Sequence, residues 1–85
     1  MKPPKFNKEL IIYEEGDFVE NPFSGETFEL NGTELAVYDY IIGLQYIIDR
    51  YGAFNEESFP YQKELRKGLD WFRTNNIKAY MVLLD

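Results

Sequence analysis

No cysteine and no histidine occur among the 85 residues of this chain. Without thiols there is no disulfide staple, no sulfur nucleophile and no zinc–thiolate site, and a small secreted domain without staples would be unusual, which points to a reducing compartment. Without imidazole the chain lacks the side chain that titrates near neutrality and the usual partner of a nucleophilic serine. The only serines, Ser24 and Ser58, stand in no nucleophile-elbow pattern. Positive charge is also missing from a long stretch: no Lys or Arg separates Lys8 from Arg50, so the front half is strongly anionic and the formal net charge is −6. Such a balance repels phosphate backbones, and no nucleic-acid partner is expected. Long apolar runs are absent as well. The richest, Tyr40 to Ile48, is interrupted by Gln45 and bounded by Asp39 and Asp49, far short of the ~20 residues that span a bilayer. The opening Met1-Lys2-Pro3-Pro4-Lys5 has none of the apolar character of a signal peptide. These absences read together as a cytoplasmic protein that does not enter a membrane.

What the chain does have is apolar and aromatic surface. It is 45% hydrophobic, with seven tyrosines, seven phenylalanines and one tryptophan, which is more than a disordered chain carries. So short a chain has apolar residues for one core only. Residues 1–8, with two prolines and three lysines, read as a flexible tail, and residues 9–85 as a single small domain.

Along that domain, Leu10 to Tyr13 has strand propensity, and Glu14-Glu15-Gly16-Asp17 punctuates the chain as a turn. Asn21-Pro22-Phe23-Ser24-Gly25 follows as a hairpin turn between Phe18-Val19-Glu20 and Glu26–Leu30. Pro22 presets φ, Asn21 and Ser24 bond nearby backbone, and Gly25 supplies a positive φ. A first helix is predicted to start after Leu30, with Asn31 and Glu34 forming a capping box, and to end near Tyr51 with Gly52 beyond it. Its core face would be Ala36, Val37, Tyr40, Ile41, Leu44, Ile47, Ile48 and Tyr51. A second helix is predicted from about Pro60 to Thr74-Asn75, with Tyr61, Leu65, Leu69 and Phe72 facing the first helix in antiparallel contact and Gly68 allowing close approach. Residues 77–84 read as a short helix capped by Asn76, or as a strand. The predicted class is α+β: an N-terminal β-hairpin, two antiparallel α-helices and a short C-terminal helix or strand.

Few residues invite chemistry. Glu14, Glu15 and Asp17, and then Glu56 and Glu57, are the clustered carboxylates that acid–base catalysis or a hard cation would need, but both clusters also look like solvated turns. The Asn21–Gly25 turn has the outline of a zinc knuckle without its thiolates, so no metal is expected there. No phosphate-binding glycine loop is present, and no cofactor is expected. Lys63, Arg66, Lys67 and Arg73 share one side of the second helix. Asp70 interrupts them, and an Arg66–Asp70 pair would turn this stripe into a salt-bridged solvated face.

The run Asn21-Pro22-Phe23-Ser24-Gly25-Glu26, followed by Glu34–Asp39, Asp70-Trp71-Phe72 and Ala79–Asp85, resembles small uncharacterised proteins of marine bacteriophages, cyanophage-type proteins among them. The resemblance covers about residues 18–85 and implies work in an infected bacterial cytoplasm, with no known activity or site residues. A non-enzymatic accessory protein acting through protein–protein contact, with a host protein as a possible partner, is the preferred reading because rigid aromatic surface suits such contact. The alternatives are an acidic nucleic-acid mimic that blocks a host DNA-binding protein and, far behind, a carboxylate-only enzyme. A second apolar stripe on the first helix, Leu35, Tyr38, Ile42 and Tyr46, further predicts self-association as a two-fold dimer.

Overall fold

The computed structural model describes residues 2–85. Strands β1 (Asp17–Glu20) and β2 (Thr27–Leu30) form an antiparallel two-stranded hairpin in the register Asp17↔Leu30 to Glu20↔Thr27. The turn between them is built as its residues imply. Asn21 Oδ1 accepts from the backbone N–H groups of Phe23 and Ser24 at 2.8 and 3.3 Å, and Gly25 takes φ 76°. Asn21 has a second task, donating from Nδ2 to the Val82 carbonyl at 2.8 Å, which ties the hairpin to the C-terminus.

Helix α1 (Gly32–Tyr51) opens on the full capping box: Asn31 Oδ1 accepts from Glu34 N–H at 2.8 Å, and Glu34 Oε1 accepts from Asn31 N–H at 2.9 Å. It stops at Gly52, whose φ of 94° suits glycine. A short 3-10 turn (Glu56–Ser58) leads into helix α2 (Phe59–Asn75), which has Pro60 in its first turn. Contacts pair Ile41 with Gly68, Tyr40 with Glu64 and Tyr51 with Tyr61, so the two helices run antiparallel. Gly68 is required there: a Cβ at that position would lie 2.7 Å from Ile41 Cγ1. Residues 77–84 are helical, as α3 (Ile77–Ala79) running on into a wider π-type turn (Tyr80–Leu84), with Asn76 capping Ala79 N–H at 3.2 Å. The α+β arrangement is therefore the predicted one, and the C-terminal segment is helix.

One buried cluster holds the fold together: Leu30 from β2, Val37, Tyr38 and Ile41 from α1, Phe72 from α2, and Ala79 and Leu83 from the C-terminal segment. Of the residues expected on the core face of α1, Tyr51 is instead 44% exposed and Tyr40 and Ile47 are half-buried. The core is rotated toward Tyr38 because the hairpin and C-terminal segment add a second layer beside the first half of α1. The second half packs against α2 and the 3-10 turn that precedes it, with the N-terminal strap alongside.

Two expectations for the N-terminus are corrected. Leu10 to Tyr13 is not a strand, since the sheet contains only β1 and β2. Residues 2–8 are not a free tail but lie along α2; Met1 is outside the described residues. Trp71 Nε1 donates to the Lys2 carbonyl at 2.7 Å, Lys67 Nζ to the Lys5 carbonyl at 3.1 Å, and Asn7 N–H to Glu64 Oε1 at 2.6 Å. The Phe6 ring packs on Tyr40 with centroids 4.4 Å apart, and this apolar anchor is what holds so polar a segment down.

Candidate interaction surface

The clustered acids lie at the surface. Glu14, Glu15, Asp17, Glu56 and Glu57 are all exposed, and among the described residues no group of three or more His, Cys, Asp or Glu side chains is placed to hold a metal ion. The buried carboxylates are two others, Glu34 and Glu64, at 5% and 3% exposure. Both are spent on structure. Glu34 completes the cap of α1 and accepts from Asn76 Nδ2. Glu64 accepts from Asn7 N–H and from the Tyr40 hydroxyl at 2.9 Å, and pairs with Lys67 at 3.5 Å. Burial, followed by the hydrogen bond to Glu64 and its charge, pushes the Tyr40 hydroxyl up to about 12. Nothing in the spacing of α2 marks Glu64 as buried, because its partners lie in the N-terminal segment.

The basic stripe of α2 is partly consumed as well. Lys67 is engaged by Glu64 and Lys5, while Arg73 pairs with Asp70 at 3.3 Å and lies over the Tyr80 ring at 5.2 Å. Asp70 thus takes Arg73 at i+3 in place of the expected Arg66 at i−4.

The stripe proposed for self-association is divided by the fold. Tyr38 is buried in the central cluster and Leu35 packs against it, whereas Ile42 and Tyr46 remain 42% and 63% exposed. Tyr38 is therefore withdrawn from the surface, and Leu35 is only partly exposed. This is the outcome expected if the hairpin and C-terminal segment close over one end of the stripe.

A larger surface lies on the neighbouring side of α1. Residues 9–13 run without turn or bend past the helix, between bends at Asn7-Lys8 and Glu14-Glu15. Between this strap and α1 is a groove of about 730 Å3, walled by Leu10, Ile11 and Tyr13 on one side and by Gly43, Leu44 and Ile47 on the other. Tyr13 is fixed there by its hydroxyl, which donates to Asp39 Oδ2 at 2.7 Å; that hydrogen bond and the charge of Asp39 raise the Tyr13 pKa above its ordinary value. Ile47 and Tyr61 are shared with a second hollow of about 520 Å3 that continues to Tyr46, Arg50 and Tyr51. Tyr51 and Tyr61 stack there with centroids 6.1 Å apart and planes 9° apart, and the Arg50 guanidinium lies 5.9 Å over the Tyr46 ring. The hairpin turn and the loop after α1 each end in an almost fully exposed ring, Phe23 and Phe54.

No family model matches this chain, and no curated protein or solved structure matches it either. The reading of the surface therefore rests on its chemistry. Two continuous hollows with aliphatic and tyrosine walls, and with carboxylates of Glu9 and Asp39 at the edge, suit the burial of apolar side chains from another chain. Among the described residues no helix is long and apolar enough to cross a membrane.

Proposed function

We propose that this chain is a non-enzymatic accessory protein that works by holding another protein, in the phage-infected cytoplasm that its resemblance implies. The observation that carries this reading is the pair of adjoining hollows sharing Ile47 and Tyr61. Tyrosine offers large contact area at low entropic cost, and a partner's apolar side chains would displace water from walls that the chain itself leaves uncovered. A two-fold pairing of copies through Ile42 and Tyr46 is the second reading, supported by the exposure those two side chains keep on α1.

The test compares the immobilised chain with its Ile47→Glu variant, both shown to be folded by circular dichroism. A bacterial protein retained by the first and lost from the second is then purified, and its binding to each is measured by calorimetry. The reading expects at least a tenfold weaker association with the variant. Retention of the same proteins by both, or of none by either, overturns it.

A further inference from the structure

We propose that Leu10–Tyr13 is an open β-edge that takes up an extended segment of a protein partner, apolar in its middle and carrying Lys or Arg at its ends. This rests on the reading of the groove as a protein-binding surface and names what enters it.

The first observation is a mismatch between sequence and pairing. Leu-Ile-Ile-Tyr is strand-forming, and the segment contains no turn or bend, yet among the described residues no backbone N–H or carbonyl of Glu9 to Ile12 has a hydrogen-bond partner. Unpaired extended backbone of this kind is a template for another strand, and proteins ordinarily blunt it with proline, lysine or a covering element. Within Leu10–Tyr13 there is neither proline nor lysine, Lys8 being the nearest base. Ile11 is 87% exposed and Ile12 40%, and no proline lies between Pro4 and Pro22.

The second observation is the space beside the strap. The opposite wall of the groove is α1 at Gly43, where a Cβ would meet nothing within 4 Å. Glycine is a poor residue for the middle of a helix, and no contact among the described residues requires it. A glycine there lets the backbone of an incoming strand approach α1 closely while Ile47 and Tyr61 receive its side chains.

The third observation is charge. Glu9 precedes the segment, Glu14 and Glu15 follow it, and Asp39 is held at the groove by Tyr13, with Lys8 the one base on the wall. Cationic residues flanking an apolar centre complement that arrangement. A second copy does so poorly, because pairing would bring two chains of net charge −6 together along the acid-rich stretch. In strand addition of this type, backbone hydrogen bonds supply affinity and alternate side chains supply selection.

The probe is a fluorescent peptide, Arg-Lys-Val-Thr-Val-Thr-Val-Lys-Arg, titrated into the full chain, with binding read by anisotropy and the bound backbone by amide hydrogen exchange. Saturable binding with new protection at the Ile11 or Ile12 amide is expected. Successive N–H groups of a strand point to opposite sides, so Ile11→Pro and Ile12→Pro are both tested; one should weaken binding at least tenfold, as should Ile47→Glu. A peptide with Glu in place of each Lys and Arg should bind at least tenfold more weakly. Binding lost with Ile47→Glu but unchanged by both proline variants overturns strand addition and leaves the groove reading standing. No binding, or binding indifferent to peptide charge, overturns the proposed occupant, while the groove reading is decided separately by capture of a natural partner. Sedimentation showing a dimer that either proline variant dissociates would assign the edge to a second copy and overturn the proposal.

Discussion

Asn76 donates from its side-chain nitrogen to Glu34 Oε2 at 2.8 Å, joining the cap of the C-terminal segment to the cap of α1. The same asparagine accepts from Ala79 N–H. One side chain thus ties two helix starts together through a bond to a residue 42 positions away in sequence. Asn76→Ala should cost about 2–4 kcal/mol, from a lost cap and a buried carboxylate short of one donor, measured by urea unfolding. Asn76→Asp keeps the capping oxygen but sets a second carboxylate against Glu34. Its urea midpoint should lie below that of the native chain even though the cap on Ala79 N–H is kept.

The docked N-terminus should matter for stability. Deleting residues 1–7 removes the Asn7 N–H from buried Glu64 and the Phe6 ring from Tyr40. A loss of about 2–5 kcal/mol is expected from chemical denaturation of the shortened chain. A free tail would leave the midpoint unchanged.

Alkaline pH provides a check on the Tyr40–Glu64 contact. The folded state holds the Tyr40 hydroxyl up to about 12 against an ordinary value of 10.0, so it favours the neutral form. Stability from this source is complete below the unfolded value and is lost as pH rises through the folded one. Stability should therefore fall between about pH 10 and 12 more steeply in the native chain than in Tyr40→Phe, as followed by tryptophan fluorescence during denaturation. Equal slopes would place Tyr40 in water.

Two residues of the divided stripe should behave oppositely. Tyr38→Ala removes a ring from the central cluster and should cost about 3–5 kcal/mol. Ile42→Asp, at a 42% exposed position, should leave the helical signal intact. If copies pair through Ile42 and Tyr46, sedimentation should show a native dimer and a folded Ile42→Asp monomer. A native chain that is monomeric at tens of micromolar removes that pairing.

Local signals were legible because each depends on residues a few positions apart. The Asn21–Gly25 turn, the Asn31–Glu34 box, the stop at Gly52 and the entry at Pro60 are satisfied by their own neighbours. The close passage at Gly68 was legible too, as a small residue on an apolar helix face.

Three features were decided only by tertiary structure. Amphipathic spacing on α1 marks two apolar sectors but does not say that hairpin and C-terminal segment would cover the Tyr38 side while Tyr51 stayed at the surface. Strand propensity at Leu10–Tyr13 does not supply a partner strand, and the chain leaves that backbone unpaired beside Gly43. Glu64 becomes a buried acceptor through Asn7, which is 57 residues away. Helix caps and the hairpin turn are readable from short stretches of residues, because capping and turn chemistry are local. Which faces are buried depends on what the remaining elements leave uncovered, and only the assembled chain decides that.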